Sequence, residues 1–136
     1  MLISEMQVGM SAEHAKTVTS EDIVRFAEVT GDMNPVHLDD EAAKRSPFGE
    51  RIAHGMLSAG YVSAALGMKL PGPGVIYMSQ SLRFTRPVKI GDTITARVEV
   101  VEVNAAKKRV RLATVCRNQR DETVLDGEAL VMVPDS

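Results

Sequence analysis

The stretch from Gly55 to Leu66 constrains the fold more than any other part of the chain. It carries no charged side chain, and its apolar residues occupy every face of a helix. Small residues keep the surface of this helix slim: Ala59, Gly60, Ala64 and Ala65. A helix that is apolar all round is normally buried. We therefore expect residues 55–66 to form a long buried central helix that the rest of the chain covers.

The segment Pro71-Gly72-Pro73-Gly74 breaks the chain, and after it the apolar period changes from helical to two. Four strands are predicted, at residues 76–84, 94–103, 109–117 and 123–133, and an earlier one near residues 15–18 completes the sheet. The alternation slips at Val100 and Val101, which predicts a β-bulge. Residues 130–133 are apolar on both faces, which indicates a central strand. A strongly twisted antiparallel sheet wrapped around the helix is the expected α+β fold.

Length and charge narrow the class of protein. The 136 residues suit one domain, which we expect to span residues 1–136. With 16 Lys and Arg against 18 Asp and Glu, a net charge of -2 and no basic block, nucleic acid is not an expected partner. No run approaches the ~18 apolar residues of a membrane span, and residues 1–6 lack the basic start and apolar run of a signal peptide. We expect a soluble cytoplasmic protein that does not bind membranes.

Two further expectations concern the sheet and the only cysteine. The edge and outer face of an antiparallel sheet need cover, so we expect a symmetric homodimer. Cys116 is the only cysteine, which excludes an internal disulfide. It lies in a strand-like run, so we expect a packed core thiol rather than a nucleophile.

A short amphipathic helix leads into the polar loop of the chain. Thr19-Ser20-Glu21-Asp22 is typical of a capped helix start, apolar residues follow at helical spacing, and Gly31 ends the pattern. A second short helical piece at residues 40–45 ends before Pro47. We therefore expect the first helix to deliver a loop at residues 30–39.

The loop at residues 30–39 places an acid and an imidazole on a braced backbone. Gly31 supplies backbone freedom, and Asn34-Pro35 forces an extended or turn conformation. Asp32 and His37 are the minimum parts for moving a proton on and off one water or one substrate carbon. A structural interpretation is also open, in which the loop merely ends a helix and makes a turn, and His37 hydrogen-bonds a carbonyl.

A helix sheathed by an antiparallel sheet is the hotdog fold, and this chain resembles a family with that fold. The run Gly31-Asp32-Met33-Asn34-Pro35-Val36-His37 is similar to the signature of the MaoC-like, (R)-specific enoyl-CoA hydratases of the hydratase 2 type. Ile52-Ala53-His54-Gly55-Met56-Leu57 resembles the start of that family's central helix. Four later segments resemble the family's next strand and turn: Ile76-Tyr77, Ser81-Leu82-Arg83-Phe84, Pro87-Val88 and Gly91-Asp92. The similarity runs from about residue 9 to residue 133.

The resemblance implies a hydratase that acts on acyl-CoA thioesters. It makes Asp32 and His37 the catalytic dyad that adds water to a trans-2-enoyl-CoA and gives the (R)-3-hydroxyacyl-CoA. It assigns the backbone N–H of Gly55 to the enolate oxygen, a role that suits the unpaired N–H groups at a helix start. No metal and no redox cofactor is implied. The division of acid and base roles between Asp32 and His37 stays open.

Three other positions have supporting roles in this interpretation. Asn34 is expected to brace the loop rather than touch substrate, because its amide can hydrogen-bond nearby backbone. The resemblance places Ser63 at a serine that hydrogen-bonds in the active site, while a bond back to its own helix is the alternative. His54 is expected to be structural rather than a proton carrier.

Other polar residues of the region are assigned no catalytic part. A metal site is conceivable at four residues: His37, Asp39, Asp40 and His54. Their spacing matches no recognised ligand pattern, so we predict no metal site. Three basic residues follow one another along a strand and its turn: Arg83, Arg86 and Lys89. They either meet the phosphates of coenzyme A or form a solvated face.

Two other functions stay open for the same fold. A hotdog thioesterase activates water against the thioester carbonyl, but it does not share the Gly-Asp-x-Asn-Pro-x-His loop. A non-catalytic acyl-CoA-binding protein does not require a paired acid and base, and the chain has no basic extension. The sequence leaves open the acyl-chain length and the choice of coenzyme A or acyl carrier protein. It also leaves open the pathway, which is polyhydroxyalkanoate synthesis, fatty acid oxidation or an organic-acid route.

Overall fold

The computed structural model describes residues 1–135. Its helices are α1 (Ser20–Thr30), α2 (Pro35–Leu38), α3 (Asp40–Lys44) and α4 (Gly55–Met68), preceded by a 3-10 turn at Ile3–Glu5. Its strands are β1 (Ser11–Thr17), β2 (Ile76–Gln80), β3 (Arg83–Phe84), β4 (Thr93–Asn104), β5 (Arg109–Arg117) and β6 (Thr123–Met132). Among these described residues, no helix is long and apolar enough to cross a membrane.

The strands form one antiparallel sheet. Its order is β1-β4-β5-β6-β2, and β3 also pairs with β6. Because β6 has neighbours on both sides, residues 130–132 lie in an interior strand, as their apolar pattern predicts. The predicted bulge is confirmed, since the register of β4 against β5 shifts between Val100 and Glu102.

Alternation along the strands buries one face of this sheet. The fully buried residues of β4 and β5 include Ile94, Ala96, Val98, Val100, Leu112 and Cys116. α4 packs against the buried face and contacts β1, β4, β5 and β6. The apolar side of the helix therefore meets the apolar face of the sheet, and burial of both surfaces stabilises the fold. This is the predicted hotdog fold, an antiparallel sheet wrapped around a central helix, and Cys116 is the predicted core thiol.

Both ends of α1 follow the predicted signals. The Asp22 N–H donates to the Thr19 hydroxyl at 3.1 Å, and the Thr19 N–H donates to the Asp22 carboxylate at 3.1 Å. This reciprocal capping box satisfies two N–H groups that the helix itself cannot. At the other end, Gly31 has φ 84°, a left-handed conformation that glycine adopts without strain. α1 thus ends at Thr30, where the polar loop begins.

One predicted strand is in fact two. Residues 76–84 form β2 and β3 with a break at residues 81–82, and the register of β2 against β6 shifts within the strand. At the break, the chain comes so close to β6 that a Cβ on Gly127 would lie 1.8 Å from the backbone oxygen of Ser81. Only glycine allows this approach, and the local pattern of residues 76–84 does not reveal it. β1 also starts earlier than the predicted residue 15.

The prediction that α4 is buried on every face is wrong for the single chain. Its sheet-facing residues are buried, among them Val62, Ala65 and Leu66. On the other side, Met56 is 53 % exposed and Met68 is 71 % exposed. Gly60 and Ser63 are exposed on the same side, one and two turns after Met56. One sheet covers one side of a helix, so the opposite apolar side needs cover from outside this chain or from a ligand.

Leu112→Ala tests the packing of the core. The Leu112 side chain on β5 is fully buried, so its truncation should leave a cavity and lower the free energy of unfolding by about 2–5 kcal/mol. Val101→Ala, at an exposed position of β4, is the matched control and should change that free energy by no more than about 0.5 kcal/mol. Urea unfolding followed by circular dichroism measures both variants. Equal effects would contradict the placement of Leu112 in the core.

Candidate active site

The polar loop after α1 is braced by its own side chains. The Asn34 N–H donates to the Asp32 carboxylate at 3.3 Å, and the Asn34 side-chain oxygen accepts from the Val36 N–H at 3.3 Å, which caps α2. Pro35 occupies the first position of α2, where an N–H has no helical partner. Asn34 therefore contacts the loop itself, and Asp32 and His37 lie on either side of a stiff turn.

His37 is held in one tautomer. The residue is buried, and its Nδ1 lies 2.7 Å from the backbone oxygen of Ile52. A carbonyl oxygen only accepts, so Nδ1 carries the hydrogen and donates it. In the neutral ring, Nε2 then keeps its lone pair, as a proton acceptor must. The structural and catalytic interpretations of His37 are thus compatible, because the bond to a carbonyl prepares the other ring nitrogen.

A second histidine contacts both ends of the loop. His54 Nε2 lies 3.0 Å from the backbone oxygen of Asp32. The His54 ring also stacks on the His37 ring, with centroids 3.9 Å apart and an interplanar angle of 28°. One side-chain nitrogen or oxygen from each of these three residues lies within 4.8 Å of the others. The structure therefore brings the predicted acid and base together and places His54 against both.

Residues 51–54, which we call the bracket segment, hold His37 from two directions. Arg51 Nε donates to the backbone oxygen of His37 at 2.7 Å, and the Ile52 oxygen accepts the imidazole hydrogen. The bracket segment is itself anchored, because the Ala53 N–H donates to the backbone oxygen of Val88 at 2.7 Å. These contacts were not predicted, since nothing in the local pattern of residues 51–54 shows which distant loop they touch.

Of the four residues considered for a metal, only His37 and His54 lie together in the structure. Asp39 accepts a hydrogen bond from the backbone of α3 at 2.9 Å and caps that helix, and Asp40 is exposed. Asp32 instead lies with His37 and His54. His37 Nδ1 and His54 Nε2 each donate to a backbone oxygen, so each ring offers only its other nitrogen to a ligand. The cluster that could hold a cation is therefore Asp32, His37 and His54 rather than the four residues considered from the sequence.

Two cavities border the pair, one lined by the acid and the other by the base. The larger has a volume of about 670 Å³ and is lined by Asp32 and Ser63 together with Phe26, Met56, Met78 and Leu82. The smaller has a volume of about 450 Å³ and is lined by His37 and Gly55 together with Phe48, Ile52, Phe84 and Val124. Met56 borders both cavities. The mainly apolar walls of the larger cavity suit an acyl chain.

Gly55 lies at the start of α4, beside the base. It is the first residue of the helix, and the N–H groups of a first helical turn have no partner within the helix. The Phe84 ring packs so closely that a Cβ on Gly55 would lie 2.7 Å from it. Gly55 borders the same cavity as His37, so this end of α4 and the imidazole share one space. The aromatic neighbour of Gly55 was not predicted.

Ser63 and a second polar group border the larger cavity with Asp32. Tyr77 donates a hydrogen bond to the Gln80 side-chain oxygen, and Gln80 Nε2 donates to the Thr114 hydroxyl at 2.8 Å. Burial raises the pKa of Tyr77, so its hydroxyl keeps its hydrogen at neutral pH. Sequence reasoning missed this pair, because the break after β2 hides which face of the strand meets the cavity.

The basic residues near β3 are ion-paired. The pairs are Arg83 with Asp126 at 3.9 Å, Arg86 with Glu122 at 3.2 Å, and Lys89 with Glu50 at 3.4 Å. Exposed pairs of this kind contribute little to stability. They fit the interpretation of a solvated face, although Arg86 also borders the smaller cavity.

Comparison with known proteins gives consistent matches. Residues 4–121 match the family described as MaoC like domain. A 3-hydroxybutyryl-CoA dehydratase from Methylorubrum extorquens is 51 % identical over 134 residues, which are 98 % of this chain and 85 % of that one. An (R)-specific enoyl-CoA hydratase from Rhodospirillum rubrum is 49 % identical over 130 residues, which are 96 % of this chain and 90 % of that one.

Solved structures match as well. An R-hydratase from Pseudomonas aeruginosa in the unliganded form has a TM-score of 0.94 at 50 % identity, and the match covers 99 % of this chain and 86 % of that one. The (R)-hydratase from A. caviae involved in PHA biosynthesis has a TM-score of 0.92 at 39 % identity, with 96 % and 98 % covered. Since the family match spans most of the sequence and these relatives align over nearly all of it, the chain belongs to the MaoC-like domain family.

Proposed function

We propose that this protein is an (R)-specific enoyl-CoA hydratase, which adds water to a trans-2-enoyl-CoA to give the (R)-3-hydroxyacyl-CoA and also catalyses the reverse dehydration. The observation that carries the proposal is the pairing of Asp32 with His37, each of which borders a cavity. The relatives support it, because they are named as (R)-specific hydratases and as a 3-hydroxybutyryl-CoA dehydratase. Water addition is redox-neutral overall, so the reaction requires no redox cofactor.

Water activation follows from the arrangement of the two side chains. One water donates hydrogen bonds to the Asp32 carboxylate and to His37 Nε2. As its oxygen adds to the β-carbon, His37 Nε2 takes a proton, and the resulting imidazolium lies beside the Asp32 carboxylate, which stabilises the charge. The proton then passes to the α-carbon, and the pair returns to its starting state. The hydrogen bond from His37 Nδ1 to Ile52 supports His37 as the base.

Charge on the thioester oxygen needs a separate donor. During addition, negative charge gathers on that oxygen, and we assign the Gly55 N–H at the start of α4 to it. The positive end of the helix dipole adds to this stabilisation. Because Gly55 and His37 border the smaller cavity and Asp32 borders the larger one, we place the thioester beside Met56, which borders both, and the acyl chain in the larger apolar cavity. Ser63 is a polar contact on the wall of that cavity, near Asp32.

We also propose a symmetric homodimer formed through the edge strand β2. β2 is an edge strand whose apolar side chains at Ile76, Tyr77 and Met78 are exposed. Such an edge is a template for pairing with a second chain. Sedimentation should therefore give twice the chain mass, and Ile76→Lys should shift the protein toward monomer. A single-chain mass for the unmodified protein across micromolar concentrations would contradict the dimer.

Crotonyl-CoA provides the test of the proposed activity. Hydration removes the conjugated double bond, so the absorbance of the enoyl thioester should fall while no thiol is released. A thioesterase of the same fold would release coenzyme A thiol instead. A binding protein would change neither signal at any chain length. Either of these two outcomes overturns the hydratase proposal.

Cys116 should leave the thiol measurement undisturbed. Burial raises the pKa of its thiol to about 12. At pH 8, only about one such thiol in 10⁴ is therefore deprotonated, and the thiolate is the reactive form. We expect the native protein to be inert toward a thiol reagent during the assay and to react after unfolding in urea. Rapid reaction of native protein at pH 8 would contradict the core position of Cys116.

A further inference from the structure

We propose that His54 is a positioning residue that sets the distance between Asp32 and His37, an inference that rests on the proposed hydratase function. Its side chain contacts both members of the pair, through a hydrogen bond to the backbone of one and a ring stack on the other. It transfers no proton to substrate and acts through its two neighbours.

The hydrogen bond to Asp32 defines the tautomer of His54. The Asp32 backbone oxygen only accepts, so His54 Nε2 carries the hydrogen and donates it at 3.0 Å. In the neutral ring, Nδ1 then has a lone pair, and that atom is buried with no hydrogen-bond partner among residues 1–135. A buried polar atom without a partner lowers stability. The His54 ring therefore keeps Nδ1 buried without a hydrogen bond, at a cost in stability, while Nε2 holds the backbone of Asp32.

The ring faces of His54 are occupied as well. One contact is the stack with His37 at 3.9 Å, and another is Phe26 at 4.8 Å with an interplanar angle of 49°. His54 is 3 % exposed, so this packing restricts rotation of the His37 ring against it. The hydrogen bond from Nδ1 to Ile52 holds the edge of the His37 ring, and the stacked His54 ring covers its face. Both contacts limit rotation of the His37 side chain.

The position of His54 in the chain separates this role from helix capping. His54 is the N-cap residue of α4, where serine, threonine, aspartate or asparagine usually bonds the first turn. Its side chain makes no capping bond within the described helix. Instead, the imidazole reaches back over 22 residues to the loop. The residue type at this position thus serves the acid–base pair rather than the helix.

A set of substitutions separates the hydrogen bond from simple packing. The amide nitrogen of Gln occupies about the place of Nε2 and can still donate to Asp32, whereas the shorter Asn cannot reach it. His54→Asn should lower kcat for crotonyl-CoA hydration by about tenfold to a hundredfold, with KM within about threefold of normal, because a small displacement of a reacting group has effects of this size. His54→Gln should recover most of kcat. Two further variants each replace one imidazole with a phenyl ring. His54→Phe, in the site, should lose activity, whereas its matched control His14→Phe, on β1, should not.

Coupling to Asp32 distinguishes positioning from a loss of stability. If His54 acts through Asp32, then His54→Asn in an Asp32→Asn background should cost less than about threefold in kcat. Equal kcat in the Gln and Asn variants, or a full multiplicative loss in the double variant, would overturn the inference while unmodified protein still hydrates crotonyl-CoA. Inactivity of the unmodified protein would instead refute the proposed function.

Discussion

His37→Asn is expected to lower kcat for crotonyl-CoA hydration by about 10²–10⁴-fold, the contribution typical of a positioned proton carrier. The Asn amide nitrogen lies near the place of Nδ1, so it can still donate to the Ile52 oxygen as His37 does at 2.7 Å. The substitution therefore removes Nε2 while keeping the contact that holds the loop. Steady-state kinetics gives kcat, and thermal unfolding checks that the fold is retained.

Asp32→Asn belongs to the same prediction and should reduce kcat by a similar factor. Asn keeps the shape of Asp32 and can still accept the Asn34 N–H, but it no longer carries the negative charge that stabilises an imidazolium. Because the two residues act on one water, the double variant should be little worse than either single variant. Near-normal hydration by either single variant, in protein that unfolds at the usual temperature, would refute the dyad.

Gly55→Pro compared with Gly55→Ala tests the enolate donor. Proline suits the first position of a helix, and it removes the N–H while adding a ring whose Cβ the alanine variant reproduces. The preceding residue, His54, has φ -61° and ψ 136°, an extended conformation that proline favours in its neighbour. Both substitutions add a Cβ that would lie 2.7 Å from the Phe84 ring, so both are made in a Phe84→Ala background. Loss of one oxyanion donor costs about 10²–10³-fold, and kcat of the proline variant should be lower than that of the alanine variant by this factor.

The alanine variant is the control for the added side-chain volume, since it keeps the N–H. Circular dichroism and thermal unfolding of the two proteins show whether α4 still begins at residue 55. Equal kcat values in two well-folded variants would remove the Gly55 N–H from the mechanism. The thioester oxygen would then need another hydrogen-bond donor from the walls of the two cavities.

Local patterns predict much of this fold, because local chemistry decides those parts. The capping box at Thr19 and the left-handed Gly31 bound α1 through contacts within four residues. The slip in alternation at Val100 locates the bulge in β4, because a period of two is broken only by an extra residue. Asp32 and His37 also belong to this group, since a braced turn keeps residues five apart close together.

Other features depend on contacts that no local pattern contains. The break between β2 and β3 depends on Gly127 in β6, which admits the backbone of Ser81. The exposed side of α4 is as apolar as the buried side, so composition cannot show that a single sheet covers only one of them. His54 illustrates the same limit in the site, because its partner carbonyl lies 22 residues earlier in the chain.

Stereochemistry tests the shared-water mechanism most directly. Crotonyl-CoA is hydrated in D₂O, and the α-carbon of the product is examined by NMR. Since one pair of side chains on one side of the substrate supplies both the hydroxyl and the proton, a single deuterium should be added on the same face as the new oxygen, in the (R) product. A mixture of the two α-configurations, or addition to opposite faces, would contradict a mechanism in which Asp32 and His37 act on one water.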